Sequence, residues 1–234
     1  MSEETRKVLE LVNRRARLAG LLYFLLFPTT GAWFALTGAM TEATVERTRL
    51  QIAIVAGAFG FVDFLILGVV LYQLFSPAAK TGAGILLGFV VASATLSLAV
   101  IARQMDVLTM LELGLPAQIG LTIRSANNLF LITDIFSGVW LIPLGWLGMR
   151  SGLLPRPIGY ALIAGSVFYV LTFVGTVFDP AYSTTLIGRV IGVVSGVPGF
   201  LGEIGTMSWL MIKGAGNQTA TVAAAQPAGS LSDL

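Results

Sequence analysis

A chain of 234 residues with 56% hydrophobic and only 11% charged residues is not an ordinary water-soluble domain, because such domains carry about 25% charged residues. The absence of cysteine and histidine excludes disulfides, cysteine nucleophiles, imidazole metal ligands and bis-histidine haem sites. The net charge is only +2, and the basic residues flank apolar runs, which suits a membrane surface rather than nucleic acid.

Apolar runs of about 20 residues recur along the chain, and each can cross a hydrocarbon core about 30 Å thick. They predict an all-α fold, a polytopic transmembrane helical bundle. A β-barrel would show alternating segments of about ten residues instead. We expect one membrane domain, residues 18–213, between an N-terminal segment, residues 1–17, and a tail, residues 214–234.

The two ends of the chain differ in character. In residues 1–17, Val8, Leu11 and Val12 recur at helical spacing among basic residues, which favours a helix lying on an anionic leaflet. A basic flank that only fixes topology is the alternative. Residues 214–234 have no aromatic residue and little charge, so they are predicted to be disordered.

Six apolar spans are predicted between these ends. They cover about residues 18–38, 50–75, 83–101, 125–149, 158–178 and 186–212. Residues 103–118 mix charged and apolar residues and contain Pro116, which predicts an interfacial excursion. Seven spans is the alternative, if residues 104–118 re-enter the bilayer. With six spans, nine Lys and Arg lie on the side of the termini and five on the other. This predicts cytoplasmic termini in a cell membrane.

The fourth span ends in GWLGMRSGLLPRPIG, residues 145–159. Gly152 can end a helix in the left-handed conformation, and Pro155 and Pro157 cannot continue it, so a tight turn is expected. This stretch resembles a prokaryotic membrane-protein family catalogued only as a domain of unknown function. Two further stretches resemble the same family: RLAGLLYFL, residues 17–25, and VDFLILGVVLYQLFSP, residues 62–77. The resemblance implies a fold and a membrane location, and it carries no activity.

A stripe of glycines marks the sixth span. On a regular helix these glycines fall within an arc of about 120°. Small residues allow another helix backbone to approach closely in a membrane. Packing within the chain is one interpretation, and a homodimer or a membrane-complex partner is the other. The stripe consists of Gly188, Gly192, Gly196, Gly199 and Gly202.

Three carboxylates lie inside predicted spans: Asp63, Asp134 and Glu203. A charge at mid-membrane costs a few kcal/mol or more, so each should be protonated, paired or hydrated. If their helix faces turn inward together, they form one polar core for a ligand or a proton. Asn127, one heptad from Asp134, would join it.

Other polar and aromatic residues lie nearer the span ends. Three arginines near the opposite membrane surface are interpreted as outer-rim anion contacts, or as side chains that reach the headgroups: Arg103, Arg124 and Arg189. Aromatic residues near span ends are predicted to be interfacial anchors. They include Tyr23, Trp33, Tyr72, Trp146, Tyr160 and Trp209.

Three functions are compatible with this pattern. The first is a small transporter or ligand-binding membrane protein with an intramembrane polar pocket, which requires the acids to face a shared cavity. The second is a non-catalytic accessory subunit of a membrane complex, which requires the glycine stripe to face outward. The third is an enzyme with a carboxylate base, but no catalytic motif accompanies the acids. No metal or cofactor is predicted, and the lipid bilayer is the expected partner.

Overall fold

The computed structural model of the chain describes residues 3–38 and 40–215, and these contain helices and no strand. Five helices are long and apolar enough to cross a membrane, judged by length and composition, so the predicted all-α fold is confirmed. The α-helices are α1 (Glu3–Thr37), α2 (Arg47–Glu112), α3 (Pro116–Val139), α4 (Leu141–Arg150), α5 (Arg156–Phe178), α6 (Leu186–Ile191) and α7 (Val197–Lys213). The predicted disordered tail lies outside the described residues, apart from Gly214 and Ala215.

Helix α2 is a helical hairpin. Its 66 residues would be far too long for one crossing, but Ala79 leaves the helical conformation (φ −158°, ψ 77°) two residues after Pro77, whose ring removes a helix hydrogen bond. Gly68 packs against Val90 on the returning arm. The arms, residues 47–78 and 80–112, therefore lie side by side and antiparallel. With this hairpin, the five long helices supply six apolar segments.

The interfacial excursion predicted for residues 103–118 is wrong. Helix α2 continues to Glu112 and α3 begins at Pro116, and Gly114 makes the turn between them with φ 66°. Arg103 and Asp106 lie one helical turn apart with a 3.4 Å ion pair. The mixed composition therefore belongs to an exposed helix face. The three-residue turn is too short for a re-entrant segment.

The tight turn predicted after the fourth span is confirmed. Gly152 has φ 71°, the left-handed conformation that glycine adopts without steric cost. The Leu154 N–H donates to the Gly148 carbonyl at 2.9 Å. Helix α5 then begins at Arg156 with a proline in its first turn, where a missing N–H costs nothing.

The core joins α1, α2 and α4 through large side chains. The Trp140 ring lies between Tyr23 of α1 and Phe64 of α2, with ring centroids 5.8 and 5.1 Å away. Helix α7 packs on α1, and the Ala215 N–H donates to Asn13 Oδ1 at 3.1 Å. The start of α1 and the end of α7 therefore lie at the same end of the bundle.

Candidate functional site

Within the described part of the chain, the three intramembrane carboxylates form no ion pair. Asp63, Asp134 and Glu203 are each partly buried. None of the three takes part in the ion pairs found within the described residues, 3–38 and 40–215. One carboxylate oxygen of Asp63 is fully enclosed and has no hydrogen-bond partner in this part of the chain. Such groups are expensive inside an apolar span, so each is a candidate for function.

Glu203 lines a cavity between α5 and α7 with a volume of about 390 Å³. We call this space the acidic cavity. Three aromatic rings form much of its wall, and the remaining described lining is glycine or aliphatic. No cationic side chain is among these lining residues, so the carboxylate faces rings and open space. The other lining residues are Phe168, Tyr169, Gly192, Gly196, Val197, Phe200 and Leu201.

A π-helix shapes one wall of the acidic cavity. Residues Gly192–Gly196 form this wider turn between α6 and α7. Pro198 follows directly in the first turn of α7, and its missing N–H interrupts the regular ladder. Gly192 and Gly196 face the ring of Phe168 without side chains of their own, which leaves the space that the cavity occupies. Such π-helical turns occur frequently at functional sites.

Two tyrosines lie near Glu203, and one of them also lies within electrostatic range of Asp134. The Tyr23 hydroxyl is buried beside the Glu203 carboxyl but outside hydrogen-bond geometry. Tyr169 lies within electrostatic range of both Glu203 and Asp134. It packs directly on Gly138 of α3, where a side chain would block its approach. Four helices thus contribute one group each to a polar cluster behind the acidic cavity: Tyr23, Asp134, Tyr169 and Glu203.

Asp63 stays apart from this cluster. It lies on the first arm of α2, where Gly60, one turn earlier, packs on Thr29 and Thr30 of α1. It does not line the acidic cavity. The structure therefore divides the polar core expected from the sequence. Asp134 and Glu203 both lie near Tyr169, whereas Asp63 lies apart from both.

Asn127 and the three arginines do not line the acidic cavity. Asn127 is exposed and lines a second cavity, of about 250 Å³, with Trp33 and Gln104. The arginines are exposed on the helix surfaces and line neither cavity. These arginines are Arg103, Arg124 and Arg189. Arg103 pairs with Asp106.

The glycine stripe faces the interior of the chain. The backbones of Gly199 and Gly165 are in contact, and Gly202 abuts the backbone of Leu162 on α5. Gly188 abuts the backbone of Tyr182, and Gly192 and Gly196 face Phe168. The accessory-subunit hypothesis required this stripe to face outward. Its glycines instead allow α5 and α7 to approach closely, as small residues do in membranes.

Residues 18–214 match the model of a family described as a domain of unknown function, DUF4386. The chain belongs to this family. The match spans the acidic cavity and the polar cluster completely, so both lie within the DUF4386 domain. No curated protein and no solved structure matches the chain.

Two residues that the sequence had assigned to the membrane interface are buried in this DUF4386 protein. Tyr23 is 1% and Trp33 is 3% exposed, because both turn toward neighbouring helices. Tyr169 was missed altogether. Its position could have identified it as a candidate, since it lies one residue from the middle of the predicted span, residues 158–178. A buried mid-span hydroxyl usually needs a polar partner.

Proposed function

We propose that this protein is a ligand-binding, transporter-like membrane protein whose ligand is a small organic cation held against Glu203. The observation that carries the proposal is an unpaired carboxylate in an aromatic-walled cavity. The carboxylate supplies the opposite charge. The rings of Phe168, Tyr169 and Phe200 supply cation–π attraction, which strengthens when the cation is removed from water.

The surroundings of the acidic cavity favour a ligand with an apolar body. Val197, Phe200 and Leu201 line the cavity and are also more than half exposed on the outside of the bundle. That outside is the lipid-facing surface of an apolar helix. A hydrophobic cation would therefore reach Glu203 from the bilayer, and its apolar part would replace lipid against these side chains.

The polar cluster has a supporting role in this proposal. Tyrosine hydroxyls can donate to a carboxylate, and those of Tyr23 and Tyr169 lie near Glu203. They can stabilise its ionised form when the ligand arrives. Asp134, which also lies within electrostatic range of Tyr169, is a second carboxyl that can hold a proton during the exchange.

The distribution of Lys and Arg, nine against five, favours a cell-membrane location with both termini cytoplasmic. The cysteine-free chain makes this testable. Ser183 is exposed in the loop between α5 and α6, so a cysteine placed there should react with a membrane-impermeant thiol reagent in intact cells. Labelling only after permeabilisation would contradict this orientation.

Binding of benzyltrimethylammonium to the purified full chain in lipid nanodiscs tests the proposed function. We expect saturable binding, and we expect Glu203→Gln to weaken it about tenfold or more, since interactions with a charged partner contribute about 1.5–3 kcal/mol. The matched control is Glu4→Gln, the same change at an exposed carboxylate near the start of α1. Equal affinity in the wild type and Glu203→Gln, with both melting at the same temperature, would refute the proposal.

A further inference from the structure

A buried amide marks the second cavity. Gln104, on the returning arm of α2, is only 4% exposed. Its Oε1 accepts a hydrogen bond from Trp33 Nε1 at 3.0 Å. An indole nitrogen can only donate, so the oxygen of the amide must face Trp33. The NH2 group of Gln104 is therefore turned away from the indole.

The NH2 group of Gln104 donates to no residue in the described part of the chain, yet it is not among the fully enclosed side-chain atoms without a partner. It borders the second cavity instead, since Gln104 is one of the lining residues. A buried donor without an acceptor costs free energy, so a ligand oxygen at this position would be stabilised.

The remaining walls are formed mostly by aromatic and aliphatic side chains. Phe34 and Phe130 pack edge to face with Trp33 and with each other, at centroid distances of 4.8, 5.3 and 5.4 Å. Asn127 supplies a second amide at the exposed rim. None of the described lining residues is charged. We call this space the amide cavity.

We propose that the amide cavity is a second binding site, for an uncharged planar ring ketone or quinone. The ring would stack among Trp33, Phe34 and Phe130, and its carbonyl oxygen would accept a hydrogen bond from the Gln104 NH2 group. A charged ligand is disfavoured because no counter-charge lines the cavity, and an unpaired charge is costly away from water. The site shares no lining residue with the acidic cavity, so it is independent of the proposed function.

Equilibrium dialysis of naphthoquinone against the full chain in nanodiscs tests this site, with binding to empty nanodiscs subtracted. We expect saturable binding that Gln104→Met weakens about fivefold or more, as for the loss of one hydrogen bond. Asn127→Leu, at the exposed rim, should weaken it about twofold. Glu203→Gln and the exposed control Gln118→Met should leave it unchanged. Naphthalene carboxylate, of similar size but charged, should not compete.

Gln104→Met also removes the acceptor of Trp33 Nε1, which can affect folding. The same substitution is therefore repeated in a Trp33→Phe chain, which has no indole N–H at this position. There it must weaken naphthoquinone binding by the same factor relative to Trp33→Phe alone. Three results would each overturn the proposal: no saturable binding above empty nanodiscs, undiminished binding after loss of Gln104 in both backgrounds, or competition by the carboxylate.

Discussion

The two halves of the bundle are held together by different means. In the α5–α7 half, glycines bring backbones into contact, as at Gly165 and Gly199. In the α1–α3 half, rings fill the space, and Trp33 lies 5.3 Å from both Phe61 and Phe130. Glycine contacts bring helix axes together but leave gaps where a neighbouring residue has no side chain. The acidic cavity lies beside such a gap, at Gly192 and Gly196, whereas the amide cavity lies among the rings around Trp33.

The difference in packing also gives the two cavities different chemistry. The glycine-packed half has few side chains that could pair with Glu203, so its carboxylate keeps an open face toward the cavity. The ring-packed half contains a fixed amide, because Trp33 holds the oxygen of Gln104. One half therefore presents a carboxyl group and the other presents an amide donor. We expect the halves to respond differently to substitution and to ligands.

The largest expected effect is on the ring-packed half. Trp33→Ala should lower stability by about 3–5 kcal/mol, as for other large-to-small core substitutions, because it empties the centre of the aromatic cluster and leaves Gln104 without its donor. Thermal unfolding in a fixed detergent measures this loss. Trp146→Ala is the control, since Trp146 is 42% exposed. Equal losses for the two variants would show that the ring cluster does not hold this half together.

The next effect belongs to the glycine-packed half. A methyl group on Gly199 would meet the backbone of Gly165, which cannot move without shifting α5. Gly199→Ala should therefore cost about 1–3 kcal/mol, as overpacking does. Gly84→Ala is the matched control, because no atom lies within 4 Å of the added methyl group. It should be neutral or slightly stabilising. A neutral Gly199→Ala would contradict the close contact of α5 and α7.

A smaller effect is expected at the Ser93–Ser137 hydrogen bond, whose oxygens lie 2.7 Å apart between α2 and α3. Interhelical hydrogen bonds in membranes contribute about 0.6 kcal/mol on average, so Ser93→Ala should be a mild change. A double-mutant cycle with Ser137→Ala isolates the pair. A coupling energy of zero would mean that this hydrogen bond does not help to join α2 and α3.

Sequence patterns predict the depth of a residue in the membrane better than the direction in which its side chain points. Apolar runs located the helices, and the left-handed turn at Gly152 followed from its neighbours. The depths of Asp134 and Glu203 were predicted, but their convergence on Tyr169 depends on how each helix is rotated about its axis. Contacts between neighbouring helices set that rotation, as the approach of Tyr169 to Gly138 illustrates.

Two local features also cannot be predicted from regular helical periodicity. The π-helix at Gly192–Gly196 takes an extra residue into its turn, so every later position of α7 is rotated relative to a regular helical wheel. Charged residues at 103–118 suggested an interfacial excursion, because composition alone does not distinguish a segment at the membrane interface from the exposed face of a long helix. Tyr23 and Trp33 lie near a span end by sequence, and only the tertiary structure shows that they point inward.

The most direct test of the central claim measures both probes on both cavity variants. Benzyltrimethylammonium and naphthoquinone are each titrated against the wild type, Glu203→Gln and Gln104→Met in nanodiscs. The predicted result is a crossed pattern, in which Glu203→Gln loses only the cation and Gln104→Met loses only the quinone. Retention of the cation by Glu203→Gln, or loss of both probes in both variants, would contradict the account of two independent cavities with opposite chemistry.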